Sequence, residues 1–299
     1  MGKSHLLALG FSKDWIAGMS DDEIKKYADI FESTVTDSYL KLRGLTKEEL
    51  LEKEAIENSR GAEAYEDPRE FETISKEQYI RETQTSPLDT TSLDLDSGYV
   101  QITVTCSKRT SLKSQYMVSG RYEWSRVPKT RGKDCFVLST SNLALVPSTF
   151  YSVTKSSMDY YRYVALAGGI QSGKDSSLSY RDKIDTEHSG NGSWEYSGDG
   201  GYAVVHSFSS DLLPPAVMVT GTSATGKYYY DFKGYISFDG VIAQPNQKTN
   251  FNAFSTLHHN TKAYSGSISL SIPKSASISI SPVDKYTTKQ VATLVSYVP

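Results

Sequence analysis

Residues 265–281, SGSISLSIPKSASISIS, alternate hydroxyl and aliphatic side chains with a period of two, and no other feature of the chain constrains its fold as strongly. In an extended strand successive side chains point to opposite faces, so Ile268, Leu270 and Ile272 share one face and Ser267, Ser269 and Ser271 the other. Similar Ser- and Tyr-rich alternation fills the chain beyond Gly98. Candidate strands are 99–106, 116–124, 135–146, 160–166, 193–196, 202–208, 216–221, 228–238, 241–243, 253–258, 265–272, 275–281 and 290–298. Asp239-Gly240, Asn191-Gly192 and Pro273-Lys274 have the chemistry of hairpin turns. So many strands with no helical period between them predict antiparallel sheets packed face to face, a β-sandwich.

The first third has a different character. It carries 22 acidic against 12 basic residues up to Ser97, a net of −10, whereas the remainder carries 13 against 20, a net of +7. Ser20 opens a capping box before a helical spacing of Ile24, Tyr27, Ala28 and Phe31. A second box at Thr46–Glu49 predicts a helix to Asn58, and a third at Ser75–Gln78 a short helix to Glu82. Such a unit buries too little apolar surface to stand alone, so it packs on the β region or on a partner. Residues 83–97, TQTSPLDTTSLDLDS, have no period and read as a linker. The expected division is an acidic helical segment at 1–82, a linker at 83–97 and a mainly β, antiparallel sandwich domain at 98–299.

The stretch LLALGFSKDWIAGMSDDEIKKYADI, residues 6–30, resembles a short module at the start of mature exported proteins of Gram-positive bacteria. Residues 121–134, RYEWSRVPKTRGKD, are similar to an aromatic-Trp…Pro…Arg…Asp stretch in the β regions of such proteins. The resemblance implies a secreted or cell-surface setting, the leader being absent from this sequence, and transfers no active site. Cys106 and Cys135 both fall in strand-like segments; the residues alone leave a disulfide and two free thiols equally open, and the resemblance implies the disulfide.

Motifs that would bind a nucleotide or metal fail at their flanking residues. The runs from Gly168 to Lys174 and from Gly221 to Lys227 have P-loop spacing, but Asp175 and Tyr228 stand where a magnesium-holding hydroxyl belongs and no helix pattern follows. Asp94 and Asp96 begin a calcium-loop pattern that has no closing Glu. There is no Gly-x-Ser-x-Gly and no His-Glu-x-x-His, and His258-His259 point to opposite faces of a strand. No catalytic residue, metal ligand or cofactor is assigned. A triad built from distant residues stays open, so the balance is against an enzyme without closing the question.

The aromatic content is unusual, with 21 Tyr against 10 Phe. Tyrosine joins an apolar ring to a wet tip, which suits surfaces that bind carbohydrate, peptide or a membrane interface. Tyr228, Tyr229 and Tyr230 must place rings on both faces of a strand, and they are ligand-binding candidates together with Trp124 and Trp194. The expected function is non-enzymatic binding by an exported or surface β-sandwich, its partner an unknown protein or a cell-surface polymer, with nucleic acid not favoured. Membrane contact and self-association through sheet edges remain open. A pore-forming toxin using the Ser/Ile hairpin is the first alternative, against which each arm has only about six alternating residues where roughly 9 to 11 span a bilayer. A hydrolase with a scattered active site is the second.

Overall fold

The computed structural model describes residues 3–9, 11, 13–60, 68–84, 97–110, 113–128, 133–166, 169–185, 193–196, 201–207, 223–260, 270–271, 279–280 and 286–299. In chain order the elements are α1 (Lys3–Ala8), α2 (Lys13–Ala17), α3 (Asp21–Lys25), β1 (Ile30–Leu42), α4 (Lys47–Arg60), β2 (Glu72–Ile74), α5 (Lys76–Thr83), β3 (Gly98–Arg109), β4 (Gln115–Arg126), β5 (Lys133–Thr140), β6 (Leu143–Leu166), β7 (Gly169–Asp185), β8 (Ser193–Tyr196), β9 (Gly201–Ser207), β10 (Ser223–Ile242), β11 (Thr249–Asn260), β12 (Leu270–Ser271), β13 (Ser279–Ile280) and β14 (Tyr286–Tyr297). The fold is mainly β, and every described strand pairing is antiparallel.

Two sheets face each other, one ordered β2-β1-β3-β4-β10-β6-β7 and the other β14-β11-β5-β9-β8. Alternate residues of β3 and β4 (Val100, Ile102, Val104, Tyr116, Val118, Tyr122, Trp124) meet Phe136, Leu138, Phe251, Ala253, Leu257, Tyr202 and Val204 from the opposite sheet, all 2% exposed or less. Removing that many apolar side chains from water is the dominant stabilising term of the fold. The sheets approach closely at Gly120, where a Cβ would meet the Ser255 hydroxyl and the Leu138 and Phe136 side chains of the facing sheet. Among the closing Ser/Ile residues only Leu270↔Ile280 and Ser271↔Ser279 are described. The Pro273-Lys274 turn lies outside the described residues.

The first third contributes strands as well as helices. The Ser20 box forms as expected, with the Ser20 hydroxyl accepting from Glu23 N–H and the Glu23 carboxylate accepting from Ser20 N–H. The helix lasts one turn, and Phe31, expected on its face, sits in β1 and is 60% exposed. The reason lies in residues 30–42, IFESTVTDSYLKL, whose β-branched and aromatic residues pair along the whole length of β3. Helix α4 buries none of its residues. The linker residues 85–96, with Asp94 and Asp96, and the Asn191-Gly192 turn lie outside the described residues.

Two further expectations are corrected. Asp239-Gly240 is not a turn but lies inside β10, between β4 and β6, with Asp239 opposite Met117 on one side and Val146 on the other. There the Asp239 carboxylate accepts from Arg109 at 2.9 Å and from Gln115 at 2.8 Å, so its charge is neutralised within the sheet. Cys106 and Cys135 form no disulfide; both are free and buried. Cys106 faces the shared core from β3, while Cys135 belongs to the other sheet and alternates with core-facing Phe136, so it points away from that core. Burial pushes the Cys106 thiol up to about 12.

Candidate functional site

Strands β6, β7 and β10 run 24, 17 and 20 residues, well beyond what the two-layer body uses. Strand β4 accompanies β10 only from Lys233 to Val241. Beyond that point, residues 223–230 of β10 pair with 157–164 of β6, which in turn pair with β7, giving a three-stranded ribbon. At its root Met158 and Asp159 are buried, but toward the outer end Ser223, Thr225, Tyr228, Arg162 and Leu166 are exposed, and Tyr160, Tyr161, Tyr163, Val164 and Lys227 half-buried. Backbone pairing continues to Leu166↔Gly169.

The sequence-predicted tyrosines occupy this ribbon. The rings of Tyr228 and Tyr230 stack 6.0 Å apart on one face, and the Tyr230 hydroxyl donates to Asp159 at 3.1 Å. Tyr229 turns to the other face and packs on the main core. Cross-strand pairing sets Tyr161 and Tyr163, 6.5 Å apart, on the face of Tyr228 and Tyr230. Lys227 lies 5.4 Å over the Tyr160 ring on the opposite face. Trp194 lies in β8 opposite Val204, in the other sheet. Trp124 is 1% exposed and presents no surface to a partner.

Instead Trp124 belongs to a buried polar cluster that sequence reasoning missed. Its indole N–H donates to Asp134 at 3.3 Å, and the other Asp134 oxygen lies 2.8 Å from His259 Nδ1. Both Asp134 and His259 are wholly buried, and the Phe71 ring lies against both the indole and the imidazole. Among the described residues His259 Nε2 has no hydrogen-bond partner. The pair therefore resembles a triad fragment in composition only, with no hydroxyl at the outer nitrogen among the described residues. Its neighbour His258 turns to the opposite face, bonds Thr288 at 2.8 Å, and is pushed down to about 4 by burial. Among the described residues no group of three His, Cys, Asp or Glu side chains is placed to hold a metal ion. Both P-loop look-alikes enter strands, β7 at Gly169 and β10 at Ser223, which a phosphate-binding loop does not do.

The outer face of the larger sheet, at the root of the ribbon, is covered by α1–α3. Leu6, Leu9, Phe11, Trp15, Ile16, Tyr27 and Ile30 bury against Met117, Tyr151, Val153 and Tyr235. Tyr27 donates to the Tyr235 hydroxyl at 2.7 Å, Lys155 to the Trp15 carbonyl at 3.1 Å, and Tyr151 to the Glu23 carboxylate. Beside this strap a cleft of about 570 Å³ opens between Lys26, Arg109, Thr149 and Asp239. Arg109 there is committed to Asp29 and Asp239.

No family model matches the chain, and no curated protein is similar to it. Among solved structures it is similar to the crystal structure of the Clostridium perfringens NetB toxin in the membrane inserted form, at 5% identity and a TM-score of 0.23 over 66% of this chain and 89% of that one. It is also similar to a structure described as a pore forming protein, at 7% identity and a TM-score of 0.20 over 65% of this chain and 86% of that one. Likenesses this slight define no shared family.

Proposed function

We propose that this is a non-enzymatic, exported protein that binds lipid membranes through the outer end of the β6–β7 ribbon. The observation that supports it is the order of residues along that end. No charge occurs from Tyr163 to Gly173, a stretch that includes Val164, Ala165, Leu166, Ala167 and Ile170. Immediately behind stand Tyr160, Tyr161 and Tyr163, and among or behind these Arg162, Lys174 and Lys227. Aliphatic tip, tyrosine belt and cations match the layers of a bilayer surface: acyl boundary, headgroup and phosphate.

Magnitudes favour surface binding over spanning. The uncharged end pairs Tyr163–Leu166 with Gly169–Ser172. At about 3.3 Å per residue four residues reach roughly 13 Å, enough for the 5–10 Å depth of interfacial binding but short of the ~30 Å hydrocarbon core. Pore formation is the second reading, favoured by strand lengths of 24, 17 and 20 residues. It has to accommodate Asp159 and Arg162, which occupy opposite faces of β6 and leave neither face free of charge.

Co-sedimentation with phosphatidylcholine/phosphatidylserine vesicles tests the proposal, with dye release measured on the same samples. The wild-type chain binds, and Leu166→Asp, at a position 44% exposed, weakens binding about tenfold or more while leaving the circular dichroism spectrum unchanged. Dye release by the wild type would promote the second reading. Absence of binding by folded protein at neutral and acidic pH would sink both.

A further inference from the structure

Among the described strands each of the two sheets ends in two edge strands, and the four edges differ in how they are protected. Strands β2 and β8 have only three and four residues. Strand β7 has 17, but Lys174, Asp175, Arg181, Asp182, Lys183 and Asp185 are spread along it. Shortness and charge are the usual means by which natural sheets prevent another strand from adding to an edge. Strand β14 has neither. It runs for 12 residues, carries the single charge of Lys289, and pairs with β11 without a bulge from Thr249↔Tyr297 to Asn260↔Tyr286.

Along β14 the exposure alternates. Thr287, Val291, Thr293, Val295 and Tyr297 are buried, whereas Thr288, Gln290, Ala292, Leu294 and Ser296 are exposed. Lys289 lies in the inward row, where a charge opposes strand addition, so it guards the start of the strand and leaves 290–298 unguarded. The centre of that stretch is Leu294, 60% exposed, and its end is Val298, 64% exposed.

We infer that the unguarded half of β14 is a self-association edge, occupied by the same strand of a second copy running antiparallel about a two-fold axis at Leu294. The segment is its own complement. In that register Leu294 meets Leu294, Val298 meets Gln290, Ala292 meets Ser296, and Lys289 faces no cation. A charged peptide gains nothing from an edge that offers no countercharge, whereas an identical strand continues the antiparallel pairing found throughout the molecule. Two five-stranded sheets then become one of ten strands. This inference is independent of membrane binding, because its test contains no lipid.

Sedimentation equilibrium of the full chain over a wide concentration range supplies the first measurement. A dimer is expected, and Leu294→Lys raises its dissociation constant about tenfold or more without changing the melting temperature of the monomer. The second measurement is mild oxidation of Leu294→Cys and Thr288→Cys. Opposed Cβ atoms at a two-fold lie about 4.5–5.5 Å apart, within reach of a disulfide after small adjustment, so the first variant cross-links between chains and the second does not. A wild type that stays monomeric, a dimer indifferent to Leu294→Lys, or equal cross-linking of the two cysteine variants would each overturn the inference.

Discussion

Tyr27 and Tyr235 bring two phenol hydroxyls within 2.7 Å of each other inside the seal between strap and sheet. Burial pushes both phenols above their usual range, and for Tyr27 the facing Tyr235 adds to the rise, so both stay neutral donors and acceptors at any physiological pH. The pair is asymmetric. Ser119 and Ser237 also bond the Tyr235 hydroxyl, so Tyr27→Phe removes one of several partners, whereas Tyr235→Phe takes away the acceptor of the Tyr27 donor. Urea denaturation should give a loss of about 1 kcal/mol for Tyr27→Phe and somewhat more, within roughly 1–3 kcal/mol, for Tyr235→Phe. The double variant should lose less than the sum; strict additivity would mean that the two hydroxyls do not interact.

Helix α5 is seated by the buried Tyr79 ring and tied at its end by one carboxylate. Glu82 accepts from Lys41 at 2.9 Å, from Tyr99 at 2.7 Å and from Gln78 at 2.9 Å. Burial alone would raise its pKa, but these donors outweigh it and bring it down to about 2. The carboxylate is ionised more readily in the folded state, so its contribution is complete above the ordinary value of 4.5 and disappears as pH falls toward 2. Amide protection factors across residues 76–83, corrected for the intrinsic pH dependence of exchange, should therefore fall between pH 4.5 and about 2, and Glu82→Gln should abolish that pH dependence. The Ser75 cap that starts this helix was legible, as were the boxes at Ser20 and Thr46, because a cap depends on residues three apart. Strand β1 was not, since Ile24, Tyr27 and Phe31 fit a helical spacing while the decisive fact, pairing with β3, lies some seventy residues away. Asp239-Gly240 was misread for the same reason: its turn chemistry is local, and the Arg109 and Gln115 side chains that hold it inside a strand are not. The tyrosine-bearing strand was visible as a pattern; in the Asp134, His259 and Trp124 cluster only the Trp124…Asp134 spacing is local, and His259 lies 125 positions beyond Asp134.

Across the whole molecule, the sealed interior sets the reactivity of the thiols. Cys106 is 2% exposed and Cys135 fully buried, and Cys106 is pushed up to about 12, so neither offers a thiolate to a water-soluble reagent. A disulfide-exchange dye should find almost no thiol in the native protein and two per chain in denaturant without reductant; none in denaturant would mean a bridge. The strap has a consequence for synthesis. Its contact with β10 joins residues 208 positions apart, so when the chain emerges in order its opening apolar stretch has no finished seat until most of the protein has followed. At roughly 5–20 residues per second that interval is about 10–40 s. During it Leu6, Phe11 and Trp15 are free to meet a chaperone or another nascent chain before they meet their own sheet.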